Sequence, residues 1–178
     1  GDVACVLMEP ALTNIGIVLP HSGYHSRVRE LTREYGVLLA IDETHTISAG
    51  PGGCTREWGL EPDFLVIGKT IGGGVPVGAF GMTSELADRL AINLSGHDVD
   101  VSGIGGTLSG SALAMSTMRA TLSHSLLPEQ FECTIPLATR WATGVADACK
   151  DHDLDWHVQQ LGCRAEYWFC PPPTNGAD

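Results

Sequence analysis

Short apolar runs that end in charged side chains constrain the fold of this chain most strongly. Residues 37–41 form a continuous apolar run that ends at Asp42, and residues 64–67 form a second run that leads through Gly68 to Lys69. Apolar runs of this length, without polar alternation, are typical of strands buried on both faces of a parallel sheet. The sequence therefore predicts two buried strands, one ending in a carboxylate and the other in an amine.

The segments around these two runs alternate between strand and helix patterns. Residues 3–8 form another apolar run, and residues 77–82 are predicted as a further strand. A helix is predicted between residues 3–8 and residues 37–41. Apolar residues recur there at helical spacing before Gly36, namely Tyr24, Val28, Leu31 and Tyr35. Ser84 is predicted to cap a second helix. This alternation predicts an α/β fold, with a mainly parallel sheet and helices on both faces.

Two long helices and one more strand are predicted in the second half of the chain. The first helix follows Gly110 and is broken at Pro128, with four apolar residues expected to face inward: Leu113, Met118, Leu122 and Leu126. The second helix is predicted over residues 129–150, and a strand over residues 162–169. These segments predict one α/β unit followed by the beginning of a second lobe.

Charge and composition exclude several functional classes. The net charge is −11, and no run of Lys or Arg forms a basic patch that could bind phosphates, so we expect no nucleic-acid partner. The apolar stretches are too short to span a membrane, and the N-terminus has no starting Met and no targeting pattern, so the chain is expected to begin mid-protein. The six cysteines contain no C-x-x-C pair, which favours reduced thiols and a cytoplasmic protein over a zinc site or a disulfide framework.

Asp42 and Lys69 are the residues that indicate chemistry. A carboxylate after a buried strand needs a cationic partner, and an amine followed by the glycines of residues 72–74 leaves backbone room for a flat ligand. An amine in an apolar pocket is expected to attack an aldehyde, so the pair suits a pyridoxal phosphate enzyme. Taken singly, Asp42 could cap a turn and Lys69 could lie at a loop surface.

Three motifs occur in the order and spacing of a known family: AIDETHT over residues 40–46, GKTIGGGVPVGA over residues 68–79 and GTLSG over residues 106–110. Together they resemble the class III aminotransferases, which are pyridoxal-phosphate-dependent enzymes of fold type I. Glu9-Pro10, followed by Asn14, and the GTLSG string make the glutamate-1-semialdehyde aminomutase branch the most similar part of the family. The resemblance covers approximately residues 3–122.

The resemblance assigns roles to residues on both strand ends. It implies that Lys69 forms a Schiff base with the cofactor and moves the α-proton, and that Asp42 pairs with the pyridine nitrogen. Thr44 matches the position that packs on the ring face. His45 matches a position that in many members hydrogen-bonds the phenolic oxygen of the cofactor, although histidine is not its usual occupant.

Other residues are assigned to the edge of the site. Thr107, with Gly106, matches the family's segment that binds the cofactor phosphate of a neighbouring subunit, which implies a homodimer. The structural alternative is that Thr107 simply caps the following helix. Glu9 and Asn14 resemble residues of the active-site wall, and Arg164 is expected to be solvated or salt-bridged.

The resemblance also implies the division and the activity of the chain. Residues 1–127 are predicted to be part of the cofactor-binding large domain, and residues 128–178 a linking helix and the start of the C-terminal small domain. The expected activity is amino-group transfer from an amino acid or amine to an oxo acid or aldehyde. The alternatives are an aminomutase of the glutamate-1-semialdehyde type and a catalytically silent structural fragment, since family members are longer and supply their phosphate cup from a preceding segment.

Overall fold

The computed structural model describes residues 2–95 and 105–172, with side chains from 93 to 95 left out. Six strands occur in these ranges: β1 (Cys5–Met8), β2 (Leu38–Asp42), β3 (Phe64–Gly68), β4 (Gly78–Met82), β5 (His157–Leu161) and β6 (Arg164–Trp168). They are accompanied by five α-helices: α1 (Tyr24–Glu34), α2 (Gly53–Glu57), α3 (Ser84–Ser95), α4 (Ala112–His124) and α5 (Pro128–Asp151). Short 3-10 turns follow β2 and β3, at Thr46–Ser48 and Lys69–Gly72.

Strands β1 to β4 form one sheet in chain order. β1 pairs with β2 and β2 with β3 in parallel, whereas β4 runs antiparallel to β3. The connection from β1 to β2 passes through α1, and the connection from β2 to β3 passes through α2. The α/β fold with a mostly parallel sheet is therefore confirmed, and the carboxyl ends of β1, β2 and β3 meet at one edge.

The C-terminal segment differs from the single strand predicted over residues 162–169. It forms an antiparallel hairpin of β5 and β6, in which Leu161 pairs with Arg164 and Gly162 adopts φ of 58° in the turn. Glycine tolerates this left-handed conformation, so the turn lies at the start of the predicted strand. Its residues 164–168 form β6, whereas β5 before the turn was not predicted. Helix α5 packs on both strands of the hairpin. The predicted boundary between residues 127 and 128 coincides with the start of α5, and the division into domains stays a prediction.

Helix α4 also packs differently from its apolar pattern. Leu113 and Leu122, which were expected to face inward, are 66% and 43% exposed, whereas Ala114 and Thr121 are buried. Helix α4 packs against the turn that follows β3, and the Thr121 hydroxyl oxygen would lie 2.5 Å from a Cβ on Gly73. The apolar pattern was therefore a wrong guide to the buried side of this helix.

Asp63 joins three elements immediately before β3. Its carboxylate accepts two hydrogen bonds from the Arg29 guanidinium of α1, at 2.7 and 2.8 Å, and a third from the Leu39 backbone N–H of β2 at 2.8 Å. The hydrogen bond to Arg29 is the main reason why the pKa of Asp63 lies below its ordinary value. The pair ties α1 to the start of β3 and so helps to place the end of that strand.

Replacement of Asp63 by Asn should lower the free energy of unfolding by about 2–4 kcal/mol, because Arg29 would remain partly buried without its charge partner. The pKa of Asp63 is lower in the folded than in the unfolded state, so the stabilisation is complete above its ordinary pKa of about 4 and is lost as the pH falls through the lowered value. Urea unfolding between pH 6 and pH 3 should therefore show a shallower acid dependence for Asp63→Asn than for the wild type.

Glu30→Gln is the matched control for this experiment, since Glu30 pairs with Arg27 on the surface of the same helix and both side chains are more than half exposed. Its effect should stay below about 0.5 kcal/mol. Equal losses in the two variants would contradict the structural role of Asp63.

Within the described ranges, no helix is long and apolar enough to cross a membrane. All six cysteines lie in these ranges, and none of them forms a disulfide.

Candidate active site at the ends of β2 and β3

Asp42 and Lys69 follow neighbouring parallel strands. Asp42 is the last residue of β2 and pairs with Val66 of β3, and the next backbone N–H, of Glu43, donates to the Val66 carbonyl at 2.8 Å. Lys69 comes directly after β3 ends at Gly68. The parallel pairing thus brings the predicted carboxylate and amine to adjacent strand ends at one edge of the sheet.

The backbone of Lys69 leaves the strand conformation abruptly. Its φ is 45°, in the left-handed region that costs a non-glycine residue energy. In a regular strand, alternation would send Lys69 to the face opposite Val66 and Asp42. The left-handed turn ends that alternation. The residue with the strained backbone is therefore also the candidate Schiff-base lysine.

The amine differs in one respect from the expectation. Lys69 is exposed, rather than held in the apolar pocket that the sequence predicted, because the turn continues into Gly73 and Gly74, which have no side chains to cover it. Lys69 makes no hydrogen bond or ion pair with any described residue. The chain therefore leaves this amine free for a ligand.

Close packing of glycines fixes the turn that carries Lys69. A Cβ on Gly73, whose φ is 58°, would lie 2.5 Å from the Thr121 hydroxyl oxygen of α4. A Cβ on Gly72 would lie 2.5 Å from a methyl carbon of Val77. These approaches leave no room for a side chain at either position, which explains the glycines of the lysine turn.

Thr44 bridges the two strand ends. Its backbone N–H donates to Oδ1 of Asp42 at 2.8 Å, which orients the carboxylate. Its methyl carbon would lie 3.3 Å from a Cβ on Gly68, so the side chain packs directly over the residue that precedes Lys69. The Thr44 methyl group therefore lies beside the end of β3. Its packing on the face of the cofactor ring stays a prediction.

Glu43 anchors the loop after β2. It is completely buried and accepts hydrogen bonds from the Thr46 hydroxyl and from the backbone N–H groups of Cys54 and Thr55. A Cβ on Gly53 would lie 2.6 Å from the Glu43 carboxylate. Burial raises the pKa of the neighbouring Cys54 thiol to about 12, so this cysteine is a packing residue.

Glu9, Thr13 and His45 form a hydrogen-bonded chain across the ends of β1 and β2. The Thr13 hydroxyl donates to Oε2 of Glu9 at 2.8 Å and lies 3.0 Å from Nδ1 of His45. Thr13 is 3% exposed. The sequence analysis missed Thr13 because a single threonine in a loop matches no motif. Its position between Glu9 and Asn14, two residues assigned to the active-site wall, was the only signal that could have indicated it. Asn14 itself is exposed.

The tip of the β5–β6 hairpin holds the loop that carries His45. Arg164 donates to the His45 carbonyl at 3.1 Å and pairs with Glu166 at 2.8 Å. The Cys163 backbone N–H donates to the Ala49 carbonyl at 2.8 Å. Arg164 is salt-bridged, as the sequence analysis expected, and it also fixes the backbone of a candidate cofactor residue.

Thr107 is exposed in the turn before α4 and makes no hydrogen bond with the described residues. The Gly106 backbone N–H donates to the Ser109 hydroxyl, and the cap of α4 is Ser111, whose hydroxyl accepts from the Ala114 N–H at 3.3 Å. The alternative that Thr107 caps this helix is therefore wrong.

The unpaired polar groups fit pyridoxal phosphate. Among the described residues, the Lys69 amine, the second oxygen of Asp42, Nε2 of His45 and the Thr107 hydroxyl have no protein partner. Each group suits one part of the cofactor: the amine suits its aldehyde, and the carboxylate its pyridinium nitrogen. The ring nitrogen suits its phenolic oxygen, and the hydroxyl its phosphate. No group of three side chains that could hold a metal ion occurs in the described ranges.

A donor set of this kind at the ends of parallel strands is typical of α/β enzymes that depend on pyridoxal phosphate. The family model described as aminotransferase class-III matches residues 1–131, and the chain belongs to that family. The cofactor of the family is pyridoxal phosphate.

Relatives of known name agree with this assignment. The chain is 36% identical over 176 residues to a glutamate-1-semialdehyde 2,1-aminomutase from Thermomicrobium roseum, covering 98% of the chain and 40% of the relative. It superposes with a TM-score of 0.92 on a glutamate-1-semialdehyde aminomutase from Pseudomonas aeruginosa solved with PMP, at 42% identity over 99% of the chain and 40% of that protein. An omega-transaminase from Sphaerobacter thermophilus gives 0.77 at 26% identity, over 95% and 38%.

The chain thus spans about 40% of the length of the relatives that it matches.

Glu43→Gln should lower the free energy of unfolding by about 2 kcal/mol, because an amide NH₂ would face backbone N–H donors that now have a carboxylate acceptor. The matched control is Glu57→Gln, on the exposed side of α2, which should change it by less than about 0.5 kcal/mol. Chemical denaturation measures both. A neutral effect of Glu43→Gln would show that the buried carboxylate does not anchor the loop.

Proposed function

We propose that the protein containing this chain is a pyridoxal-phosphate-dependent aminomutase of the glutamate-1-semialdehyde type. The observation that carries the proposal is the placement of Asp42 and Lys69 at adjacent ends of β2 and β3. The likeness to two proteins named as glutamate-1-semialdehyde aminomutases, at 36% and 42% identity, supports the substrate class. The sequence analysis gave transamination first and the aminomutase second, and the relatives favour the aminomutase.

Lys69 and Asp42 have complementary tasks in this proposal. Pyridoxal phosphate, when bound, supplies an aldehyde that amines attack and a ring that accepts the electrons of a bond at the substrate Cα. The Lys69 amine would hold the aldehyde end of the cofactor and, when free, would take and return a proton at the substrate Cα. Asp42 pairs with the ring nitrogen and keeps it protonated.

The remaining site residues position the cofactor. Thr44 packs its methyl on the ring, His45 bonds the phenolic oxygen, and Glu9 and Asn14 form part of the wall. Thr107, with the backbone of Gly106, binds the phosphate of a cofactor in a neighbouring subunit, so the protein functions as a homodimer. The exposed, unpaired Thr107 hydroxyl supports this role. We also place the protein in the cytoplasm.

Transamination remains the second candidate because the chain also shares its fold with the omega-transaminase at 26% identity. The two functions differ in one respect. A mutase moves the amino group within one carbon skeleton, whereas a transaminase passes it to a separate oxo acid or aldehyde.

The two lysines of this chain provide a direct test of the cofactor site. Reduction with borohydride in the presence of pyridoxal phosphate should label Lys69, because its amine lies at the strand end, and should leave Lys150 at the end of α5 unlabelled. Peptide mass spectrometry of the protein that contains this chain locates the label. Lys150→Arg is the control and should retain the label, whereas Lys69→Arg should lose it. A label on Lys150 would remove the assignment, and its complete absence would favour the silent structural fragment.

The choice between the two reactions requires a second experiment. With glutamate-1-semialdehyde as the sole substrate, the protein should form the isomer in which the amino group has moved from carbon 2 to carbon 1, without an added oxo acid. Asp42→Asn should reduce kcat by about 100-fold or more, because a neutral amide no longer favours the protonated ring nitrogen. Product formation that depends on a separate oxo acid would favour transamination.

A further inference from the structure

The hydrogen-bonded chain from Glu9 through Thr13 to His45 determines where the protons of His45 are. A threonine hydroxyl has one proton to donate and lone pairs to accept with. The Glu9 carboxylate can only accept, and it takes the Thr13 proton at 2.8 Å. The contact of 3.0 Å between Thr13 and Nδ1 of His45 must then run the other way, with His45 donating from a protonated Nδ1.

The remaining ring nitrogen is left available. Nε2 of His45 has no partner among the described residues. If Nδ1 carries the proton of the neutral ring, Nε2 has a lone pair and accepts a hydrogen bond. In water, neutral histidine favours the opposite tautomer, with the proton on Nε2, so the arrangement in this protein needs an external cause.

Hydrogen bonds hold both the backbone and the ring of His45 in place. Its backbone carbonyl accepts from Nη1 of Arg164 at 3.1 Å and from the Ser48 hydroxyl at 2.9 Å. The ring is therefore fixed at Nδ1 by Thr13, and the backbone by the hairpin and its own loop. The charged groups next to His45 are Glu9, through Thr13, and Arg164, through the backbone carbonyl.

We propose that Thr13 is a positioning residue that, with Glu9, keeps His45 protonated on Nδ1 and makes Nε2 the acceptor for the phenolic hydroxyl of the cofactor. This proposal rests on the proposed function. The step is a reversible proton transfer: the O–H bond of the phenol is broken, an N–H bond forms on Nε2, and the charge pair of phenolate and imidazolium results. A side chain that can only donate at this position could not take up that proton.

The alternative is that Thr13 is a buried threonine whose hydroxyl merely finds the nearest partners. A structural role of this kind predicts a loss of stability on substitution but no change at the far nitrogen of His45. The tautomer of His45 distinguishes the two accounts, and it can be measured without cofactor.

Long-range ¹H–¹⁵N spectra of ¹⁵N-histidine-labelled, cofactor-free protein report the tautomer, with His45→Gln identifying the resonances. At a pH where the ring is neutral, the wild type should carry its proton on Nδ1. Thr13→Val should shift the majority to Nε2–H. Glu9→Ala should do the same, since the Thr13 hydroxyl is then free to donate to Nδ1. Glu9→Gln keeps an acceptor oxygen and should preserve the wild-type tautomer.

Two further variants separate positioning from packing. Thr13→Ser retains the hydroxyl and should rescue the Nδ1–H tautomer. Thr32→Val removes the hydroxyl of another threonine that is 3% exposed, far from the site, and should leave the His45 spectrum unchanged. A wild type with Nε2–H, or a tautomer that Thr13→Val does not alter, would overturn the proposal.

The second readout is the bound cofactor. Thr13→Val should change the visible absorption of bound pyridoxal phosphate, which depends on where its protons are, and should raise the cofactor Kd by about two- to tenfold, the effect of one net hydrogen bond. Thr13→Ser should restore both. An unchanged spectrum and Kd in Thr13→Val would overturn the role of Thr13 while the proposed function stands. A wild type that binds no pyridoxal phosphate would instead contradict the proposed function itself.

Discussion

The parallel pairing of β2 with β3 is the constraint on which the rest of this structure depends. Because Asp42 pairs with Val66, the end of one strand lies beside the end of the next, and the loops that follow both strands share one edge of the sheet. An antiparallel arrangement would place the carboxylate and the amine at opposite edges. The register of one pair of strands thereby places the two charged residues of the candidate cofactor site at this edge.

The charges of the chain divide into those that are satisfied internally and those that are left over. Asp63 and Glu43 are bound by a guanidinium or by backbone N–H groups, and they hold α1 and the loop after β2 in place. Lys69 has no partner among residues 2–95 and 105–172, and its backbone is strained. Strain and unpaired charge both oppose stability, and their coincidence at one strand end makes Lys69 the candidate functional residue.

The sequence predicted the parts of the fold that follow from local pattern. The strands before Asp42 and Lys69 were predicted because short continuous apolar runs are typical of strands buried on both faces of a sheet. The buried side of α4 was not predicted, because the close approach of Gly73 to Thr121 is a tertiary contact that apolar periodicity does not reveal. The β5–β6 turn was also missed, because the close approach of Gly162 to the Ala49 carbonyl is a tertiary contact.

The candidate site shows the same division. Lys69 and Asp42 are marked by motifs, whereas Thr13 becomes significant only when the fold brings the loop after β1 within 3.0 Å of His45. The contact between Arg164 and the His45 carbonyl joins residues 119 positions apart. Tertiary contacts of this kind carry no local signature. They also explain why the hairpin, which contains no cofactor residue, contributes to the geometry of the site.

A crystal structure of the protein that contains this chain, grown with pyridoxal phosphate, tests the central claim most directly. The account predicts continuous electron density between Nζ of Lys69 and the carbon of the cofactor aldehyde, with a carboxylate oxygen of Asp42 about 2.7–2.9 Å from the ring nitrogen. Cofactor density attached elsewhere, or an Asp42 side chain beyond hydrogen-bonding distance of that nitrogen, would contradict it.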